Sequence, residues 1–277
     1  MKKLNFIPAI LAAVTLVAAC EKNAVQGLDD PDAGNGAAVK FFNFAVGSPQ
    51  VNFYVNDQKA TAVSATGCFL LTDANRDQCL SSGIESTAGV AYGSGGNGTN
   101  VYYSDVAPGS VTISGRIAAA TDKNLPIANL PATIEAGKFY SYYLSGIYNT
   151  TTKTSDSFIL EDVMPEVDFS VAHVRFVNAS STTQPMTLFL TNRATGEVTT
   201  IGGPVAYKSG SGFIALPITP GTSTTASYDL ATRVAGSSTN IFTRAQIAFS
   251  AGRANTIAAR GNTATASTMF LDNTANR

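Results

Sequence analysis

The sequence predicts an all-β protein built from two tandem immunoglobulin-like antiparallel β-sandwich domains. Composition is the first observation behind that expectation. Of 277 residues, 44% are hydrophobic and only 13% are charged, with 24 glycines. That apolar share suffices for a core, and the shortage of charged helix formers suits strands joined by turns. The second observation is a period of two: Val51, Phe53 and Val55 share one face and Asn52 takes the other, as in a half-buried strand. The third is an internal repeat, in which matched blocks recur in the same order in two halves of the chain.

In chain order, Lys2 and Lys3 precede an apolar stretch from Ile7 to Ala19, broken only by Pro8 and Thr15. A positive start, a short apolar core and small residues before a cut make a secretory signal. The stretch ends in Val17-Ala18-Ala19-Cys20, which resembles the bacterial lipobox. That resemblance implies a lipoprotein signal peptide over residues 1–19 and a lipid on the Cys20 thiol. The apolar run falls short of the roughly 20 residues a spanning helix needs. The expectation is therefore a protein anchored to a membrane through its lipid without crossing it. At about 0.8 kcal/mol per buried methylene, two or three acyl chains hold firmly where one does not. Glu21 follows the cysteine, and the absence of Asp there leans towards an outer membrane. The expected location is the cell envelope, periplasmic or surface-exposed.

Residues 20–37 form the lipidated cysteine and a flexible linker, polar, Gly-rich and acidic around Asp29-Asp30-Pro31-Asp32. A coil of this length has an end-to-end distance of about 20–25 Å. The cluster from Asp30 to Gly36 lacks the closing bidentate carboxylate of a calcium loop. Asp73, Asn75 and Asp77 alternate like calcium ligands but lack the turn glycine. Cys68 and Cys79 bracket that second loop and are the only other cysteines. In an oxidising compartment a disulfide is the natural pairing, contributing about 2–3 kcal/mol on the chain-entropy model. The rival is a metal site, but two Cys without nearby His make an incomplete zinc set.

The repeat then organises the remainder. Val39-Lys40-Phe41-Phe42-Asn43-Phe44 matches Val174-Arg175-Phe176-Val177-Asn178-Ala179, and Val51-Asn52-Phe53-Tyr54-Val55 falls without a gap on Met186-Thr187-Leu188-Phe189-Leu190. Pro108-Gly109-Ser110 corresponds to Pro220-Gly221-Thr222. Ala136-Gly137-Lys138 and Gly146 correspond to Ala251-Gly252-Arg253 and Gly261. Each copy closes with a short strand, Phe158-Ile159-Leu160 and Met269-Phe270-Leu271. The expected domains span residues 38–166 and 171–274, each a sandwich of about seven strands. Met164-Pro165-Glu166 marks the junction, where Pro discourages strand continuation.

A Val-(Lys/Arg)-Phe-x-Asn strand, a Ser/Pro loop, a Val-Asn-Phe-Tyr-Val strand, a Pro-Gly turn and an Ala-Gly-(Lys/Arg) strand resemble, in that order, a bacterial extracytoplasmic family. It is catalogued as domain of unknown function 4397, and the resemblance covers both copies. It implies immunoglobulin-like sandwiches on the envelope. Asn43 and Asn178 stand where many members have His, and Asn52 and Thr187 where many have Asp. The family carries no assigned activity and lends no functional residues.

Signs of catalysis are sparse. His173 is the single histidine, so a Ser–His–acid triad or a His-rich metal site has little to draw on. Gly93-Ser94-Gly95 and Gly210-Ser211-Gly212 lack the strand–turn–helix context of a nucleophile elbow. The glycines from Gly93 to Gly98 are followed by no Lys-Ser/Thr, so they read as a hairpin loop rather than a phosphate cradle. Glu161-Asp162 and Glu166-Asp168 lie at the interdomain stretch, where neighbouring acids are expected to solvate a hinge. A formal net charge of −1 gives no basic excess for nucleic acid. No catalytic residue, no metal and no cofactor is expected.

One bias remains. Tyr54, Tyr92, Tyr102, Tyr103, Tyr140, Tyr142, Tyr143 and Tyr148 concentrate tyrosine in the first domain. Tyr140 and Tyr142 share strand parity and Tyr143 faces opposite, so at least one is expected to meet solvent as a binding surface. The alternative is that tyrosine simply fills half-buried strand positions. The resulting expectation is a non-enzymatic envelope module for adhesion, display or scaffolding, with an envelope protein or glycan as partner. The runner-up is a glycan-binding accessory lipoprotein.

Overall fold

The structure, a computed structural model, describes residues 36–61, 89–95, 103–181, 184–218 and 224–277. Cys20, Cys68, Cys79, Tyr102 and Pro220-Gly221-Thr222 lie outside the described residues, as do the linker up to Asn35 and the loop between the two later cysteines.

Every named element among the described residues is a strand. The first copy runs β1 (Ala37–Asn43), β2 (Val51–Val55), β3 (Gln58–Lys59), β4 (Ser94–Gly95), β5 (Ser104–Val106), β6 (Gly109–Ile117), β7 (Pro126–Ile134), β8 (Phe139–Asn149) and β9 (Thr154–Glu161). The second runs β10 (Val171–Asn178), β11 (Met186–Asn192), β12 (Val198–Val205), β13 (Ser209–Gly210), β14 (Ile214–Pro217), β15 (Thr225–Val234), β16 (Thr243–Ser250), β17 (Ala254–Asn262) and β18 (Thr265–Ala275).

Each copy is a two-sheet sandwich with the same topology. One sheet has the order β4-β1-β8-β9 with β5 also on β1, matched by β13-β10-β17-β18 with β14 on β10. The other is β3-β2-β6-β7, matched by β12-β11-β15-β16. Alternate residues point inward, as the period of two requires. Val39, Phe41, Tyr142 and Leu144 from one sheet close on Val51, Phe53, Ile113 and Ile127 from the other. Val174, Phe176, Ile257 and Ala259 likewise close on Met186, Leu188, Leu190 and Phe249.

Two expectations need correction. The sandwiches are not wholly antiparallel, because β1 runs parallel to β8 and β10 runs parallel to β17. Between β1 and β8 the chain passes through the second sheet, lays β4 and β5 antiparallel beside β1, crosses the second sheet again, and returns as β8 on the other side of β1 in the same direction. The closing strands are also long, with β18 spanning 11 residues.

The repeat is legible to the residue. Ala38 faces Phe139 and Asn43 faces Leu144 in the first copy, where His173 faces Ala254 and Asn178 faces Ala259 in the second. Asn43 and Asn178, both fully buried, do matched work. The Asn43 amide donates to the Val90 carbonyl at 3.0 Å and that of Asn178 donates to the Val205 carbonyl at 3.0 Å. They fasten the end of the first strand of each copy to the segment that leads into β4 or β13, which explains an amide there without recourse to a binding site.

Candidate functional site: the seam between the sandwiches

All seven residues of β1 are buried, although a sandwich strand ordinarily leaves one face to solvent. The cause is a second layer of packing. The outer face of the β1–β8–β9 sheet lies against the outer face of the β10–β17 sheet, where Phe42, Phe44, Tyr143 and Phe158 meet Val177, Ala179 and Ala258. Tyr143 is stacked between Phe42 at 4.8 Å and Phe158 at 4.9 Å, ring centre to ring centre.

At one end of this seam lies the main concentration of buried polar groups, and matched residues of the two copies supply it. Lys40 and Arg175, equivalent in the repeat, both point out of their own sandwich into the seam, each 3% exposed. Lys40 Nζ stands 4.3 Å from the centre of the Tyr103 ring, and the Arg175 guanidinium 5.0 Å from that of Phe213. Those rings occupy matched places just ahead of β5 and β14. Lys40 donates to the carbonyl of Ala275, the last residue of β18. Arg175 donates to the carbonyl of Glu161, the last residue of β9, at 3.2 Å. The contacts are reciprocal, as in an isologous interface between two subunits.

Asp162 and Asn276 complete the set. Asp162 N donates to the Phe139 carbonyl and Asn276 N to the Ala254 carbonyl, at 2.7 and 2.8 Å, so the two residues are counterparts. The Asp162 carboxylate pairs with Arg175 and accepts hydroxyls from Ser141 and Tyr103, each at 2.7 Å. Thr256, the counterpart of Ser141, donates to Asn276 Oδ1 at 2.6 Å and accepts from Arg175 Nε at 2.8 Å. Two cations and one carboxylate are thus enclosed together. Burial pulls the Lys40 ammonium down to about 8, opposed by Asp162 and reinforced by Arg175. Burial first, and then the neighbouring Asp162 charge, push the Tyr103 phenol well above its usual range.

The far end of the seam repeats the theme. Tyr92 and Tyr207 precede β4 and β13 at the same spacing, and each reaches the other copy. Tyr92 donates to the Thr268 carbonyl at 2.8 Å and lies 4.7 Å under the Arg260 guanidinium. Tyr207 donates to Asp156 at 3.0 Å and meets the Ser145 hydroxyl at 3.1 Å. Lys208 pairs with Asp156 at 3.0 Å.

The structure corrects the expected tyrosine surface. Tyr140, Tyr142 and Tyr143 are all buried, Tyr142 and Tyr143 to within 1% of completely. Their alternation is as read: Tyr140 and Tyr142 enter the first core and Tyr143 turns the other way. It does not reach solvent because the second sandwich covers that face. Asp162 is likewise no hinge-solvating acid, with its side chain sealed against Arg175. Asp168 does behave as a linker residue, accepting from the Ser170 backbone and hydroxyl, which hold its carboxyl below the usual range. His173 is half-buried beside Arg277 and Asp168, and burial lowers its pKa. Ser211 is occupied with the backbone of Phe176 and Gly212. Among the described residues no three His, Cys, Asp or Glu side chains gather into a metal-holding group.

Sequence reasoning missed Lys40, Arg175 and Asn276. A basic residue at an alternating position of two otherwise apolar strands was the available signal. What does face outward is an aromatic–arginine pair in each copy, on the sheet turned away from the seam. Arg116 lies 4.5 Å over Tyr54, and Arg233 lies 4.8 Å over Phe189. Asn52 opposite Arg116 and Thr187 opposite Arg233 show the two pairs to be counterparts. No protein-family model and no curated protein matches this chain.

Proposed function

We propose that this chain is a non-enzymatic cell-envelope lipoprotein acting as an adhesion, display or scaffolding module. Its two sandwiches serve as one stiff body held to the membrane, outer rather than inner, by the lipid on Cys20. The observation that supports this reading is the seam. Its buried ionisable groups answer one another across the two copies, an arrangement suited to a joint that must not flex. A display module gains from such a joint, because its outward sheets then keep fixed directions. The partner on this reading is another envelope protein, met by the outward faces.

The pairs Tyr54–Arg116 and Phe189–Arg233 favour a second reading, a glycan-binding accessory lipoprotein. An aromatic ring backed by a guanidinium on a flat sheet is a surface on which a sugar ring can stack. The experiment that separates the readings passes the full chain over envelope polysaccharide and over a detergent-solubilised membrane fraction. Capture of a membrane protein from the solubilised fraction, with no polysaccharide retention, is the expected result. Polysaccharide retention lost in Tyr54→Ala and Phe189→Ala would replace the scaffold reading with the glycan one. Unchanged sedimentation of the Cys20→Ala chain with intact membranes would remove the anchor.

A further inference from the structure

The seam joins unlike faces, and the way they differ selects a partner. At three matched positions the first copy carries a large aromatic where the second carries a small residue: Phe42 against Val177, Phe44 against Ala179, and Tyr143 against Ala258. The charges have diverged as well, with Asp162 opposite its counterpart Asn276. Two first-copy faces together would set aromatic on aromatic. Two second-copy faces would leave voids and bury two Arg175 guanidiniums with no carboxylate between them. First against second is the pairing that fills space and gives the buried Arg175 its carboxylate.

The segment that holds the two in one chain contributes little to this fit. From Val163 to Asp168 it has no regular structure, and Val163, Val167 and Phe169 are 69%, 47% and 80% exposed. The eight residues from Val163 to Ser170 can span roughly 28 Å when extended. The specificity of the seam therefore resides in the two faces rather than in the connection.

We propose that the seam also forms between two copies of this chain, the first sandwich of each seated on the second sandwich of the other. Such an exchange dimer is closed and two-fold. It carries two seams identical to the one described, and it leaves neither face open to a third chain.

The Asp162–Arg175 pair supplies the test. Asp162→Asn leaves Arg175 buried without a carboxylate, and Arg175→Met leaves Asp162 buried without the guanidinium it pairs with. Exchange between the two variants yields one intact seam and one seam that lacks both charges, so the mixed dimer is favoured over either chain folded on itself. Full-length chains of the two variants are partly unfolded in urea, mixed, refolded and treated with a carbodiimide. That reagent joins Lys208 to Asp156 as an amide across the seam, where they lie 3.0 Å apart. In an exchange dimer this amide links two chains.

The expected result is a covalent dimer on a denaturing gel, several-fold stronger in the mixture than in either variant alone and absent when both chains carry Lys208→Arg. A coupled product that stays at the mass of one chain overturns the proposal. Should either variant fail to fold alone, its recovery in the mixture as dimer supports exchange, and its continued failure counts against it. Wild-type chain, half of it isotopically heavy, gives a second reading through the same protocol. Heavy-to-light Lys208–Asp156 amides are expected at high protein concentration, and their absence there also overturns the proposal.

Discussion

Asn276 Nδ2 donates to Asp162 Oδ2 across the seam at 3.2 Å, and the two residues hold the same place in the two copies. In an isologous contact, residues near the axis meet their own counterparts. Two carboxylates so placed and so buried would repel, and one would have to hold a proton. Replacing one by an amide converts repulsion into a hydrogen bond and leaves the remaining carboxylate for Arg175. The tandem arrangement permits this asymmetry, since each position is encoded twice.

A double-mutant cycle on Asp162 and Arg175 follows directly. Either Asp162→Asn or Arg175→Met alone is expected to cost about 3–5 kcal/mol, because each strands a buried charge. Together they should cost far less than the sum, since neither member of the pair is then buried without the other. Urea unfolding of the four chains checks this. Additive costs would mean that the pair is not coupled.

The fold was legible in the sequence because the determinants of a sandwich are local. The alternation in Val51-Asn52-Phe53 reports which side chains enter a core, and the spacing from Ala136 to Gly146 fixes a turn and a bulge. The seam was not legible, because alternation reports only which face a side chain takes. Tyr143 was placed on the correct face of β8, but what covers that face is decided by residues over a hundred positions away, such as Ala258. Lys40 and Arg175 went unread for the same reason. On a strand whose other face is apolar, a basic residue signals solvent unless a second domain supplies a ring, a carbonyl and a carboxylate.

Lys40 makes stability depend on pH in a defined window. Its ammonium titrates near 8 in the folded seam against a usual 10.5. Between those values the unfolded chain binds the proton and the folded chain does not, so stability rises with pH. Below about 8 both states are protonated and this gain is absent. The rise is worth about 3 kcal/mol at full extent. Above about 10 it is opposed by Tyr103 and Tyr143, which burial holds above their usual range. There the unfolded chain releases protons that the folded chain keeps. Urea midpoints at pH 7.5, 8.5 and 9.5 should climb in the wild type and stay level in Lys40→Met. Parallel climbs in both would assign the effect to another group.

Tyr143 distinguishes a packing role from a binding role. Tyr143→Ala removes a fully buried ring held between Phe42 and Phe158, with an expected cost of about 3–5 kcal/mol from lost burial and the cavity left behind. Tyr143→Phe keeps the ring and is expected to stay within about 1.5 kcal/mol, as a swap that conserves volume. Thermal unfolding of the two variants reads the difference. If Tyr143→Ala left stability unaltered, the face would have to be open to solvent.

Gly146 and Gly261 hold matched positions with positive φ, yet they face different neighbours and should respond differently. A methyl group on Gly261, at φ +116°, would lie 2.2 Å from the Thr268 carbonyl oxygen, a backbone atom of its own hairpin. That backbone cannot step aside, so Gly261→Ala is expected to cost about 3 kcal/mol or more, within the range of strain at a special φ. On Gly146, at φ +77°, the methyl would instead lie 2.7 Å from the Tyr207 hydroxyl, the tip of a side chain from the other sandwich. Tyr207 can swing away, so Gly146→Ala should cost about 1–2 kcal/mol for the left-handed alanine. The greater effect falls on the seam, because Tyr207 would give up Ser145 and Asp156. Carbodiimide coupling of Lys208 to Asp156 should therefore fall in Gly146→Ala. In Gly261→Ala it should persist under conditions where that chain stays folded. Equal coupling in wild type and Gly146→Ala would show that Tyr207 keeps its place and that the strain is absorbed within β8.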